Sequence, residues 1–550
     1  MQILEVLLVN HGNYEITVVQ GVNTAITNDN GVIDYGQPDA ERDPTLVHSF
    51  ADIATFNDTI ILPARSSKTV EIEINLPDEP FDDQAANGDD EVEITNTLEG
   101  TNFAHGIDYT MSCQQFATVA GTSQMWSDQT VLIDCPINAY EITVIGSNNH
   151  FYVVNGGSMS SSVFALEGFG NTVTIRNGSS VVVSSISLNV INVDGGDFTK
   201  QASSSPVPLL NVAINLTAGN VNLLSLAVTN DNFTLDMSGG NFNVHATNES
   251  FINSKISITG GNVTGLFNIE NSTLNVANTT NIAALTIKNS TMEMTGGTIV
   301  NLTIDDSHAD IAASYIVESL YVRNNAEVDL SNSTITGTSM VTFGSELNIL
   351  DSTLTLTSLT LQNFASVSAS NATMITGNGL ILTNNSVFTI TDGSASFGNI
   401  SSIMSTINIA GGNLVHTSGQ PLTVAMGSAI NMSGNGVLDV GTNLMVQMGT
   451  LTISDNAIIN AVQISLMGLP SGEGYTLLIS GGRINVVTVI QASNNTIINM
   501  TGGIISGGSA GGVLLSMAHL TMSGGQITGG QATGNNAGGV TIVGANSRLP

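Results

Sequence analysis

The amino-acid sequence predicts an all-β chain, a parallel β-solenoid preceded by a small β-domain of different character. Three observations predict it. Nine Gly-Gly pairs between Gly156 and Gly525 sit in one local frame. Short apolar strands alternate with Ser, Thr and Asn, as in Leu354-Thr-Leu-Thr-Ser-Leu-Thr-Leu361. Only 10% of the 550 residues are charged, and no apolar stripe of helical period with charged flanks is present.

The Gly-Gly frame is a short strand, a small polar residue, a glycine corner and another strand. It places corners at Gly195 and Gly196, Gly239 and Gly240, Gly260 and Gly261, Gly296 and Gly297, Gly411 and Gly412, Gly481 and Gly482, Gly502 and Gly503, and Gly524 and Gly525. First glycines at 195, 239 and 260, and again at 481, 502 and 524, give steps of 44, 21, 21 and 22. A period near 20 with strand chemistry means stacked coils, each supported by its neighbours. Between the good copies, Ser331-Asn-Ser333, Asp351-Ser-Thr353, Ser370-Asn-Ala372 and Thr391-Asp-Gly393 occupy the corner. Asn and Asp tolerate left-handed backbone and can replace glycine at a bend. Asn repeating at one coil position also predicts stacked amide ladders.

Residues 129–550 at about 21 per coil give roughly 19 coils and a rod of roughly 90 Å at about 4.8 Å per step. Leu469-Pro-Ser-Gly-Glu-Gly474 enlarges one coil. Residues 1–128 differ. Up to residue 140 the chain holds 23 of the 44 acids and only 3 of the 10 basic residues, with alternating strands such as Lys68-Thr-Val-Glu-Ile-Glu-Ile-Asn75. A separate acidic, sandwich-like domain over 1–128 is expected, a docking or assembly module, with Trp126 suited to a junction core. Cys113 and Cys135 lie 22 apart, about one coil, so they are stacked neighbours, free or bridged.

The repeats resemble those of right-handed parallel β-helix proteins, the superfamily of pectin-lyase-like enzymes, viral tailspikes and surface adhesins. Gly511-Gly-Val-Leu-Leu515, Leu520-Thr-Met-Ser-Gly-Gly-Gln-Ile527 and Gly538-Gly-Val-Thr-Ile542 carry the resemblance most strongly. It implies the fold over 129–550. It does not select a function, since this fold hosts both enzymes and inert rods.

Polysaccharide cleavage, the activity the superfamily implies, needs a carboxylate cluster. The one acid-rich knot of the solenoid is Asp305-Asp-Ser-His-Ala-Asp310. Asp305, Asp306, His308 and Asp310, with Arg323 about one coil on, are the candidate acid/base or metal group. The hydrolases' Gly-His-Gly and Arg-x-Lys elements are absent, and a solvated acidic corner is the competing reading. A second acidic stretch has eight acids in residues 78–93 and offers Asp82, Asp83, Asp89, Asp90 and Glu91 as candidate hard-cation ligands, without EF-hand spacing. Phosphate loops, nucleophile elbows and histidine metal spacings are missing. No cofactor is expected.

The aromatics Tyr152, Phe164, Phe169, Tyr315 and Tyr321 are read as stacking inside the coils rather than forming a glycan platform. A net charge of −34 argues against nucleic acid, and no run of 18 uncharged apolar residues spans a membrane. Met1–Val9 does not read as a secretion signal. The last coil, before Asn546-Ser-Arg-Leu-Pro550, is expected to cap itself, meet a partner or continue.

The expectation is therefore a non-enzymatic structural protein. It is a rigid rod on a virion or extracellular surface, associating with itself or other subunits. A receptor- or glycan-binding adhesin and a polysaccharide depolymerase are the alternatives.

Overall fold

The computed structural model describes residues 110–202, 208–224, 229–244, 250–468, 476–529 and 539–543 in full, and in residues 1–101 the backbone of nine strands. The acidic candidates Asp82, Asp83, Asp89, Asp90 and Glu91, the loop at residues 469–474 and the last residues of the chain lie outside the described residues.

From residue 123 the chain winds into a parallel β-solenoid of about 18 turns. Strands pair in register with the strand one coil on: Thr234 with Lys255, Lys255 with Thr273, Thr273 with Thr291. The count falls close to the expected 19 because coil length varies. Lys288 stacks on Asp305 after 17 residues, whereas Ile453 stacks on Ile479 after 26.

Several coils carry three strands, as in Thr234–Met237, Asn241–Val244 and Ser250–Ile252. In each, the strand period of two turns Val, Ile, Leu, Met or Phe inward and leaves Asn, Thr or Ser outside. The buried residues fuse into one continuous core along the rod. Phe233, Phe251 and Phe267 stack within it at 5.0 Å centroid spacing from coil to coil. Such aromatic stacking adds to the area these rings bury.

The Gly-Gly corners are where successive backbones pass closest. Gly261 has φ +91°, and a Cβ built there would stand 2.5 Å from the Gly240 carbonyl oxygen of the coil before. A side chain is excluded both by handedness and by space. At the middle corners Asn332, Asp351 and Asn371 take φ of 46°, 49° and 47°, the substitution of Asn or Asp for glycine expected there. The expected amide ladders are present on the outer face: Asn241 donates to Asn220 at 2.8 Å, Asn262 to Asn241 at 3.1 Å and Asn281 to Asn262 at 3.1 Å.

A helix at Cys113–Val119 covers the start of the rod. Ser112 and Gln115 close its N-terminus with a capping box, and Cys113 and Phe116 are buried beneath it. Phe116 meets Phe151 edge-on at 5.5 Å and Trp126 at 6.1 Å. A disulfide joins Cys113 to Cys135, Cα atoms 6.0 Å apart, and ties the helix to the first coil. An apolar coil end needs such a cover. The sequence reading placed Trp126 at this junction but had no helix here. Seven residues are too few for a periodic signal, and the Ser-x-x-Gln capping box was the clue available.

Before it, nine strands form three antiparallel sheets of three. Gln2–Val9 pairs with Ser67–Ile74, which also pairs with Ala54–Thr55. Ile16–Gln20 runs between Ile60–Leu62 and Leu98–Thr101, and Ala25–Asn28 between Gly31–Val32 and Glu93–Thr95. Antiparallel pairing here and parallel pairing after residue 123 mark two kinds of structure in one chain.

Candidate functional site

A second corner of the coil lines an open concavity. Here the chain turns through one residue in left-handed backbone followed by a buried serine: Asn253-Ser254, Asn271-Ser272, Asn289-Ser290 and Asp306-Ser307. The φ values are 52°, 50°, 46° and 46°. Asn and Asp tolerate that conformation. The serines bond along the rod. Ser254 N–H donates to Ser272 Oγ at 2.7 Å, Ser272 N–H to Ser290 Oγ at 3.0 Å and Ser290 N–H to Ser307 Oγ at 3.0 Å. Each of these hydroxyls donates in turn to the carbonyl two residues before it. The buried hydroxyls of the corner are thereby satisfied.

Above this serine floor lies an open groove of about 900 Å³. One wall is Asn232, Asn253, Asn271, Asn289 and Asp306; the other is Thr234, Lys255, Thr273, Thr291, His308 and Glu327. Strand register places the second wall's residues one per coil. Toward one end the amides are used internally: Asn232 donates to Asn211 at 2.6 Å and Asn253 to Asp231 at 2.8 Å. The side chains of Asn271 and Asn289 and the hydroxyls of Thr234, Thr273 and Thr291 have no hydrogen-bond partner among the described residues. The groove thus presents unspent donors and acceptors at a spacing of about 4.8 Å. Its fixed charges are Lys255 against Asp306 and Glu327.

The acid knot singled out in the sequence splits into two groups. Asp305 is buried and faces Arg323, whose Nε donates to it at 2.9 Å, while Asn324 donates to its other oxygen at 2.6 Å. Arg323 stands one coil on, in register with Asp305. Asp306 turns the corner at the groove wall. His308 and Asp310 lie on the next strand, His308–Ala312, with His308 Nε2 at 3.4 Å from Asp310 and Nδ1 at 3.5 Å from Glu327. Asp310 stacks between Glu293 and Asp329. Ligand atoms of His308, Asp310 and Asp329 all lie within 4.8 Å of one another. The three are solvent-facing, and exposed acidic groups commonly gather without an ion. The sequence reading did not name Glu327 and Asp329. Their spacing of 19 from His308 and Asp310 was the signal that stacks them.

The aromatic reading needs correction. Phe164 is inside the coil, in edge contact with Phe151 at 5.8 Å. Phe169, Tyr315 and Tyr321 are exposed, Phe169 at 83%. Each occupies an outward position or a turn, where alternation rather than side-chain type decides the facing. Tyr315 and Tyr321 share the strand Tyr315–Arg323, Phe169 lies on another coil, and none lines the groove.

Among the described residues no helix is long and apolar enough to cross a membrane. No curated protein matches the chain. Residues 1–89 match the family described as WxL Interacting Protein, peptidoglycan binding domain.

Proposed function

We propose that this chain is a non-enzymatic cell-surface protein whose N-terminal β-domain holds it to peptidoglycan while the solenoid projects as a rigid rod. The match of residues 1–89 to a peptidoglycan-binding domain is the observation that carries this reading. Of the two settings the sequence leaves open, it favours a cell surface over a virion. The solenoid's stacked coils, with one core and a capped first turn, supply stiffness without chemistry. Membership of the right-handed, pectin-lyase-like superfamily belongs to the same reading, supported by the parallel coils and the Gly-Gly corners.

The absence of catalysis is part of the proposal. Its support is that Asp305, the best-sheltered carboxylate of the acid knot, spends both oxygens on Arg323 and Asn324. Sedimentation with insoluble peptidoglycan tests the anchoring half. The full chain should pellet with it, and a chain beginning at residue 110 should stay in solution. A full chain that does not pellet would overturn the reading.

A specific observation favours a second role, contact with a neutral polysaccharide along the groove. Free amides at Asn271 and Asn289 opposite free hydroxyls at Thr273 and Thr291 match a ligand rich in hydroxyls and amides. With no aromatic platform in the groove, each coil adds little and affinity would come from several coils at once. Replacing Asn271 and Asn289 by Leu should abolish retention on a glycan column while leaving the peptidoglycan pellet unchanged.

A further inference from the structure

The left-handed corner that walls the groove continues along the rod and changes its chemistry. Asn or Asp holds it at 253, 271, 289, 306, 324, 363, 384 and 494 and Phe at 343, but at three consecutive coils the residue is Met404, Met426 and Met448, at φ 50°, 53° and 55°, and Met517 takes it again at φ 54°. Backbone hydrogen bonds set these coils directly on one another: Met426 N–H donates to Gln447 O at 3.0 Å, Met448 N–H to Met467 O at 3.0 Å, and Met404 N–H reaches Ala425 O at 3.4 Å. Met404 is 45% and Met426 55% exposed, and Met448 is half-buried.

We propose that Met404, Met426 and Met448 form a thioether site for a soft monovalent metal ion, of the copper(I) or silver(I) class. A bulky residue at positive φ is strained, and strain repeated over successive coils points to a use for the side chain. The spacing of about 4.8 Å between coils lets three flexible unbranched side chains bring their sulfurs to one ion. Thioether sulfur selects soft ions. The chain neighbours of the three methionines are Ile403 and Ser405, Ala425 and Gly427, and Gln447 and Gly449, with no carboxylate or imidazole among them. The side-chain donor that these three positions themselves add is thioether sulfur rather than carboxylate or imidazole. Both cysteines of the chain are bridged to each other, so no thiol competes.

The test is a titration of the full-length protein with silver(I), a redox-inert stand-in for copper(I), followed by NMR of ¹³C-methyl-labelled methionine. The methyls of Met404, Met426 and Met448 are expected to shift together and saturate at one equivalent. The triple variant Met404→Leu, Met426→Leu, Met448→Leu should lose that equivalent with an unchanged far-ultraviolet circular dichroism spectrum. If the triple variant does not fold, Met426→Leu alone should weaken binding at least about tenfold. Unshifted methyls at these three positions, or an equivalent retained in the folded variant, would overturn the proposal and leave the column an apolar ridge.

Discussion

Arg323 donates from Nε to Oδ2 of Asp305 at 2.9 Å, one coil step away. Asn324 takes the other oxygen, so the carboxylate acts as a strut between adjacent coils. Because Arg323 is about half exposed, solvent screens the pair to roughly 1 kcal/mol or less. Asp305→Asn should therefore cost about 1 kcal/mol of stability and leave glycan retention on the groove intact. Thermal melting and a retention assay on one sample check both. Loss of retention without loss of stability would return Asp305 to the site.

The buried serine ladder should matter far more than the exposed asparagine ladders. Ser290 Oγ accepts from Ser272 N–H at 3.0 Å and donates to Lys288 O at 2.6 Å. Ser290→Ala strands a buried N–H and is expected to cost about 1–3 kcal/mol. Asn262→Ala, at the exposed ladder, should stay within about 0.5 kcal/mol. Stability in a solenoid is local. Hydrogen exchange should therefore quicken in the coils around Ser272 and Ser307 and not at the far end.

How much of this was legible follows from which signals are periodic. The corners, held by Gly-Gly or by Asn or Asp, and the strand alternation recur along the rod, so the solenoid and its glycine positions could be read directly from residues such as Gly240 and Gly261. The Asn-Ser corner repeats as regularly, at Asn253, Asn271 and Asn289, but its serines look polar and their burial depends on neighbours one coil away. The helix at Cys113–Val119 occurs once and leaves no period to detect. The acid knot was visible as composition. Arg323 was legible as about one coil on, whereas the stacking of Asp329 on Asp310 needed a coil length of 19, which a mean period of 21 misplaces.

Glycine corners separate a cost of handedness from a cost of space. Gly178 has φ +73° and open space where a Cβ would go, so Gly178→Ala should cost only the left-handed penalty, about 1–2 kcal/mol. Gly261 has a similar hand but a carbonyl oxygen 2.5 Å from that Cβ. Gly261→Ala should cost at least about 2 kcal/mol more, because two coils must separate. Equal losses in chemical denaturation would mean the coils can slide apart freely.

Reduction should loosen the start of the rod before the rest. The Cys113–Cys135 bridge closes a separation of 22 residues, which in the loop-entropy account stabilises by about 3 kcal/mol. What it secures is the helix carrying Phe116 over the first coil. With dithiothreitol, Trp126 fluorescence is expected to change at lower denaturant than the bulk β-sheet signal. Coincident transitions would show that the cap and rod unfold together even without the bridge.

The core contains one group that should make stability depend on pH. His416 is 1% exposed, stacked between Phe397 and Val440 of the adjoining coils, and neither ring nitrogen has a hydrogen-bond partner. Burial holds its pKa below the ordinary 6.5, because a protonated ring would have to leave water unpaired. The unfolded chain, with the ordinary value, takes up the proton first. Stability from this residue is then complete above about pH 6.5 and falls as pH drops through that value, by up to about 1.4 kcal/mol per unit, until the folded-state pKa is reached. His416→Leu fills the same apolar slot without the two unpaired nitrogens. It should raise stability at pH 7 and remove most of the loss between pH 7 and 5. Denaturation of parent and variant at those two pH values decides the matter, and an equal loss in both would assign the acid sensitivity to the carboxylates instead.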